Sequence, residues 1–307
     1  MEKSLKNDSS VYVLKDELFE EMNKWKFPLH FIDFETSAVA LPFHAGRRPY
    51  EQVAFQFSHH QYNEDGIIEH KSEFISTKAG EFPNFIFARA LYHALGNDTG
   101  SIFRYAAHEN TILNHIIIQL ANSDEGDKDE LISFLKTITT STKDNASPWV
   151  GERAMIDLRK IVVDYYYNPF TKGSNSIKYL LPACLNSSQY LKSKYCNTIG
   201  QINLTSTNFN DSHVWLEMER NLVINPYKLL PPLFTDWTDE QLEENMGDID
   251  SIADGGAALI AYAKLQYVDM SEIERNELTS ALLKYCELDT LAMVMIYEHF
   301  RFDFILK

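Results

Sequence analysis

Phe31-Ile32-Asp33-Phe34-Glu35-Thr36 places two carboxylates inside an apolar stretch. Runs rich in Ile and Phe favour strands, where successive side chains alternate between faces. Asp33 and Glu35 therefore point one way, Ile32 and Phe34 the other. Like charges side by side on a central strand are costly to bury unless something neutralises them. A divalent cation does so most directly, because Mg²⁺ and Mn²⁺ prefer hard oxygen ligands. The plainer alternative, an edge strand with solvated acids, fits poorly with so apolar a neighbourhood.

Far downstream the chain reads Tyr285-Cys286-Glu287-Leu288-Asp289 within a helical pattern. Tyr285 and Asp289 then share one helix face. Taken alone, Tyr-x-x-x-Asp occurs in many helices, with a solvated Asp and a Tyr packed inward as its ordinary reading. Together with a strand Asp-x-Glu it is the arrangement used for two-metal phosphodiester hydrolysis, which needs carboxylates around a pair of cations.

The composition bounds this reading. A chain of 307 residues with 45% apolar content can build one large core or two modest ones. No apolar run reaches the length of about 18 residues that a membrane span needs, so no membrane association is expected. Met1 to Ser10 lacks the apolar core of a signal peptide. Cys184, Cys196 and Cys286 are an odd set at unrelated spacings. They suggest neither a disulfide framework nor a zinc site, and the expected compartment is the cytoplasm. The net charge of −16 argues against a broad basic face that grips duplex nucleic acid. It favours short or single-stranded RNA or DNA at a small site, or a basic protein partner that delivers it.

Along the chain, residues 1–26 read as a polar lead-in with a helix from about Lys15 to Lys26, and residues 27–307 as one domain. Strands are expected at Leu29 to Phe34, Val53 to His59 and Glu69 to Ile75, with Asn63-Glu64-Asp65-Gly66 as a turn, so that the Asp-x-Glu strand opens an antiparallel meander. A helix over 82–95, a short strand at Ser101 to Tyr105, and helices at Glu109–Ala121, Leu131–Ile138, 155–167 and Ile177–Cys184 follow. Residues 185–254 read as an irregular insertion, and Ala257 to Phe300 as helix. Strands first and helices after, around a mixed central sheet, fit an α/β fold of three layers, of the ribonuclease H-like type.

A fourth carboxylate is expected from Tyr105-Ala106-Ala107-His108-Glu109, at a strand-to-helix junction. Glu109 is the candidate, although an acid in a first helical turn also simply complements the macrodipole. Asp157, in Met155-Ile156-Asp157-Leu158, competes with it and could equally be a helix cap. For substrate, His108 could bind phosphate or act as an acid or base, though such a histidine is more often structural. Lys178 follows the Gly173-containing loop at a helix start suited to phosphate. Arg48, Tyr50 and Gln52 could contact a backbone and stack a base, and Thr36 adjoins the acids; ordinary loop chemistry explains these surface residues as well.

Asp33-x-Glu35 with Tyr285-x-x-x-Asp289 resembles the DEDD exonuclease superfamily in its tyrosine-containing variant. More closely, Phe31-Ile-Asp-Phe-Glu-Thr36, Arg48-Pro-Tyr-Glu-Gln52 with Phe55-Gln-Phe-Ser58, Gly173-Ser-Asn-Ser-Ile-Lys178 with Leu181-Pro-Ala183, and Tyr285-Cys-Glu-Leu-Asp-Thr290 resemble the bacterial domain-of-unknown-function 2779 family, over about Pro28 to Tyr297. The resemblance implies a ribonuclease H-like fold, 3′–5′ exonuclease activity and two divalent cations, Mg²⁺ or Mn²⁺, held by Asp33, Glu35, Glu109 and Asp289. It implies that Asp33 bridges both ions, that Glu35 and Asp289 bind the ion carrying the attacking water, and that Tyr285 orients that water. One position departs: the superfamily's second motif supplies an Asp where this chain has Glu109. Two other expectations compete with the exonuclease, namely a nuclease-like binding or regulatory module without turnover and a hydrolase of small phosphodiesters.

Overall fold

The computed structural model describes residues 10–143, 145–231 and 256–306. The chain enters through β1 (Tyr12–Val13) and α1 (Lys15–Met22). The described part of this lead-in packs on the rest, since Leu18 and Trp25 are buried in the core and β1 pairs with β7 (Tyr166–Tyr167). The expected meander follows as β2 (Leu29–Ser37), β3 (Val53–Tyr62) and β4 (Ile68–Ile75), all antiparallel. The β3–β4 turn falls at Asn63 to Gly66, where Gly66 takes a φ of 86° that a side chain would resist.

Two crossovers then return the chain to the other edge of the sheet. The first runs through α2 (Asn84–Leu95) to β5 (Ile102–Arg104). The second runs through α3 (His108–Ala121) and α4 (Lys128–Ile138) to β6 (Ile156–Asp157). Parallel pairing demands such helical connections, whereas the hairpins need none. The six-stranded sheet has the order β6-β5-β2-β3-β4-β8, with β8 being Leu204–Thr205. β3 runs antiparallel to both its neighbours, and the other pairings are parallel.

β2 lies inside this sheet and is covered on both faces, which is why its sequence is apolar nearly throughout. Ile32 and Phe34 pack with Phe87, Leu91, Ile112 and Leu135 of α2 to α4. Phe31 packs on the opposite side with Phe103 and with Tyr297 of α9 (Glu272–His299), the long last helix. From Cys286 to His299 every residue of α9 is buried, the mark of a helix enclosed on all sides rather than one lying on a surface. A third apolar cluster joins Val53 and Phe55 to Tyr262 and Leu265 of α8 (Ala257–Tyr267). The architecture is thus a mixed α/β sheet flanked by helices.

The expected helix over 155–167 is shorter. Ile156–Asp157 is strand β6, the helix α5 spans Leu158–Tyr165, and Tyr166–Tyr167 is β7. Asp157 accounts for the late start, because its carboxylate caps the helix by accepting from the Lys160 N–H at 3.1 Å. After α6 (Ile177–Ser187), the stretch read as an insertion supplies α7 (Gln189–Tyr195), β8 on the sheet edge, and β9 (Met218–Glu219) paired with β10 (Leu222–Val223). Its Leu191, Tyr195, Leu204 and Trp215 are core residues; its residues 232–254 lie outside the described residues. No described helix is long and apolar enough to cross a membrane.

Candidate metal centre

Strand alternation and helix docking converge on one cavity of about 460 Å³. Asp33 and Glu35 enter it from β2, and Tyr285 and Asp289 from α9. One carboxylate oxygen each from Asp33, Glu35 and Asp289 lies within 4.8 Å of the other two. A β-bulge between Glu35 and Thr36 ends the regular register at this point, a device that commonly re-aims a strand beside a site.

Three acids so close, Glu35 and Asp289 buried and Asp33 partly so, cannot all stay ionised cheaply. Burial, then the negative charge of Asp289, pushes Glu35 up to about 8. Burial likewise pushes Asp33 well above the usual carboxylate range, with Asp289 and Glu109 adding to it. Lys178 opposes both shifts through its positive charge.

Glu109 lies in the first turn of α3, nearly fully buried, and lines the same cavity. Its oxygen is not one of the three mutually within 4.8 Å. Burial pushes it up to about 8, and its Oε2 has no hydrogen-bond partner. A buried carboxylate oxygen without a donor is suited to ligate a cation. The backbone explains how Glu109 gets there. Ala106 adopts a left-handed φ of 77°, and its N–H donates to Asp157 Oδ1 at 3.1 Å. This tight turn aims the start of α3, with His108 and Glu109, at the carboxylates. Asp157 itself also accepts from Arg104 Nη1 at 3.3 Å and does not line the cavity. It therefore organises the junction, and Glu109 is the better placed of the two candidates.

Of the residues considered for substrate, three are in the cavity. Thr36 Oγ1 and His108 Nε2 are 2.8 Å apart. Lys178, in the first turn of α6, donates to the Tyr285 hydroxyl. An ammonium has no acceptor, so the Tyr285 oxygen accepts here. Arg48, Tyr50 and Gln52 are not brought to this cavity; they line a separate one of about 620 Å³ with His115 and Gln119. There the Gln52 carbonyl is already taken by Asn84 and Gln119, at 2.9 and 3.1 Å.

Two further residues escaped the sequence reading. Arg159 of α5 stands exposed at the rim of the cavity. Tyr227 donates from its hydroxyl to Asp289 Oδ1 at 2.6 Å. It comes from a short turn, Pro226–Leu229, with no motif around it. Only the Asn225-Pro226 turn signal marks that place, and it says nothing about a site.

No curated protein and no solved structure matches the chain. The family match covers less than the span from Pro28 to Tyr297 expected from the motifs, so Lys178, Leu181-Pro-Ala183 and the Tyr285–Asp289 run stand outside it. Within residues 30–176, the stretch that carries Asp33, Glu35 and Glu109, the chain matches the family described as Domain of unknown function (DUF2779), and that is the family it is similar to.

Proposed function

We propose that this protein is a divalent-metal-dependent phosphodiester hydrolase, a 3′–5′ exonuclease on single-stranded or short nucleic acid, built on a ribonuclease H-like fold of the DEDD type. One observation carries the reading: the carboxylates of Asp33, Glu35 and Asp289 converge within 4.8 Å in a largely buried cavity. The sheet order, with β3 as its one antiparallel strand, supports the fold. So does the site's position beyond the carboxyl end of β5, where ligands of open α/β sheets commonly bind.

In this reading Asp33, Glu35, Glu109 and Asp289 hold Mg²⁺ or Mn²⁺. Bound ions would supply a hydroxide-like nucleophile and offset charge on the leaving oxygen. The chain's own residues do the rest. Tyr285, whose oxygen accepts from Lys178 in the cavity that Asp289 also lines, orients the attacking water. Lys178 and Arg159 bring positive charge to a cavity otherwise dominated by acids, and Thr36 with His108 lies where a phosphate oxygen could be contacted.

The separation of Glu109 from the other three acids favours a second reading, a nuclease-like module that binds without turnover. Hydrolysis of 5′-labelled single-stranded RNA and DNA, with Mg²⁺, Mn²⁺ or EDTA, decides between them. The expected result is a metal-dependent ladder that Asp33→Asn lowers by at least about a hundredfold, the scale of losing a main electrostatic contributor. Wild-type protein that binds Mn²⁺ yet cleaves neither strand would leave the module as the better reading.

A further inference from the structure

We propose that Tyr227 is a positioning residue for Asp289, so that the turn at Pro226–Leu229 is part of the metal centre. This rests on the metal-site reading above. Hydrogen-bond polarity sets the direction of the contact. An ionised carboxylate only accepts, so the 2.6 Å contact is donated by Tyr227 Oη to Asp289 Oδ1. Charge-assisted bonds of this kind are short and strong.

The contact answers a need. Asp289 faces Asp33 and Glu35 with oxygens within 4.8 Å, and like charges at that range drive a free carboxylate to rotate away. A phenol gripping one oxygen fixes the plane of the group, and so the direction in which it meets a cation. The phenol is itself held. The Tyr227 N–H donates to Asn225 Oδ1 at 3.2 Å, and Asn225 Nδ2 to the Lys178 carbonyl at 3.4 Å. Lys178 Nζ stands 5.7 Å from the centre of the Tyr227 ring and 4.9 Å from that of Tyr285. The two tyrosines thus share one cation and divide the work: Tyr285 addresses the reacting water, and Tyr227 addresses the ligand.

Partners that orient a metal ligand typically contribute about 10–100-fold in affinity. The test is Mn²⁺ affinity, read by electron paramagnetic resonance, on wild type, Tyr227→Phe, Asp289→Asn and the double variant. Thermal unfolding in EDTA serves as the fold control. Tyr227→Phe should weaken Mn²⁺ binding about tenfold while leaving the EDTA unfolding midpoint close to wild type. In the Asp289→Asn background the same change should cost nothing more. Equal affinity in wild type and Tyr227→Phe overturns the inference, and so does an undiminished loss in the Asp289→Asn background, which would mean that Tyr227 acts on the fold alone. Should Tyr227→Phe fail to fold, Asn225→Ala loosens the same turn and must weaken Mn²⁺ in the same direction. Wild type that binds no Mn²⁺ overturns the metal reading and this inference with it.

Discussion

Glu35 and Glu109 illustrate how a carboxylate changes its proton affinity when it is denied water. Both sit at about 8 instead of an ordinary 4.5, burial being the first cause in each. The fold therefore favours their protonated forms. That contribution to stability is complete below about 4.5, the unfolded value, and is lost as pH rises to about 8. Buried His59, His60 and His70 shift the other way, each held below the usual 6.5 by burial. Above that value they are neutral in both states and add no slope. Metal-free protein should accordingly lose thermal stability between pH 7 and 8, and Glu109→Gln should flatten the decline. Mn²⁺ should stabilise more at pH 8 than at pH 6, because the acids must give up protons to bind it. Melting curves with EDTA or Mn²⁺ across this range check both signs; a metal-free midpoint that rises towards pH 8 would contradict them.

At the scale of elements, α9 must hold Asp289 within reach of β2, and a band of buried polar contacts fixes its height. Thr290 Oγ1 meets Ser58 Oγ at 2.8 Å and His60 Nδ1 at 2.7 Å, while Gln56 Nε2 donates to the Leu282 carbonyl at 2.8 Å. All four side chains named here belong to β3 or α9, so the sheet grips the helix through its antiparallel strand. Thr290→Val strands His60 Nδ1 and leaves the Ser58 hydroxyl with His70 alone, and should cost about 1–3 kcal/mol, read from urea unfolding. A loss of Mn²⁺ affinity should accompany it, since Asp289 is the adjacent residue. The sequence foretold the elements well where pattern was strong. Asp33 and Glu35 announced themselves because two acids in an apolar strand violate the local rule, and such violations concentrate at sites. Tyr285 and Asp289 were legible through helical spacing. Tyr227 was not, because only the third dimension brings an irregular turn against α9. Arg48 and Tyr50 lie apart from this site for a related reason: their residue types suit nucleic acid, but the loop between β2 and β3 carries them to another cavity. The 155–167 helix was overextended because Ile156 and Tyr166 suit helix and strand alike.

For the whole molecule, a net charge of −16 would have to coexist with the polyanionic substrate of the proposed function. The cavity itself offers Lys178 and Arg159 as its cations among the described residues. Two phosphate contacts imply a log–log salt dependence of about −1.4 for single strands, much shallower than that of a broad basic binder. Fluorescence anisotropy of a labelled strand on Asp33→Asn protein, titrated with KCl, measures it. A slope several times steeper would point to a basic surface beyond this cavity. The separation of the ligands along the chain has a further consequence. Cys286, one helical turn before Thr290, touches Asp33 across 253 residues. A ribosome thus releases β2, with Asp33 and Glu35 already in place on their strand, long before it has made the aspartate that completes the set. On the proposed hydrolase reading, the growing chain would stay inactive during synthesis and become competent only when its last long helix has docked.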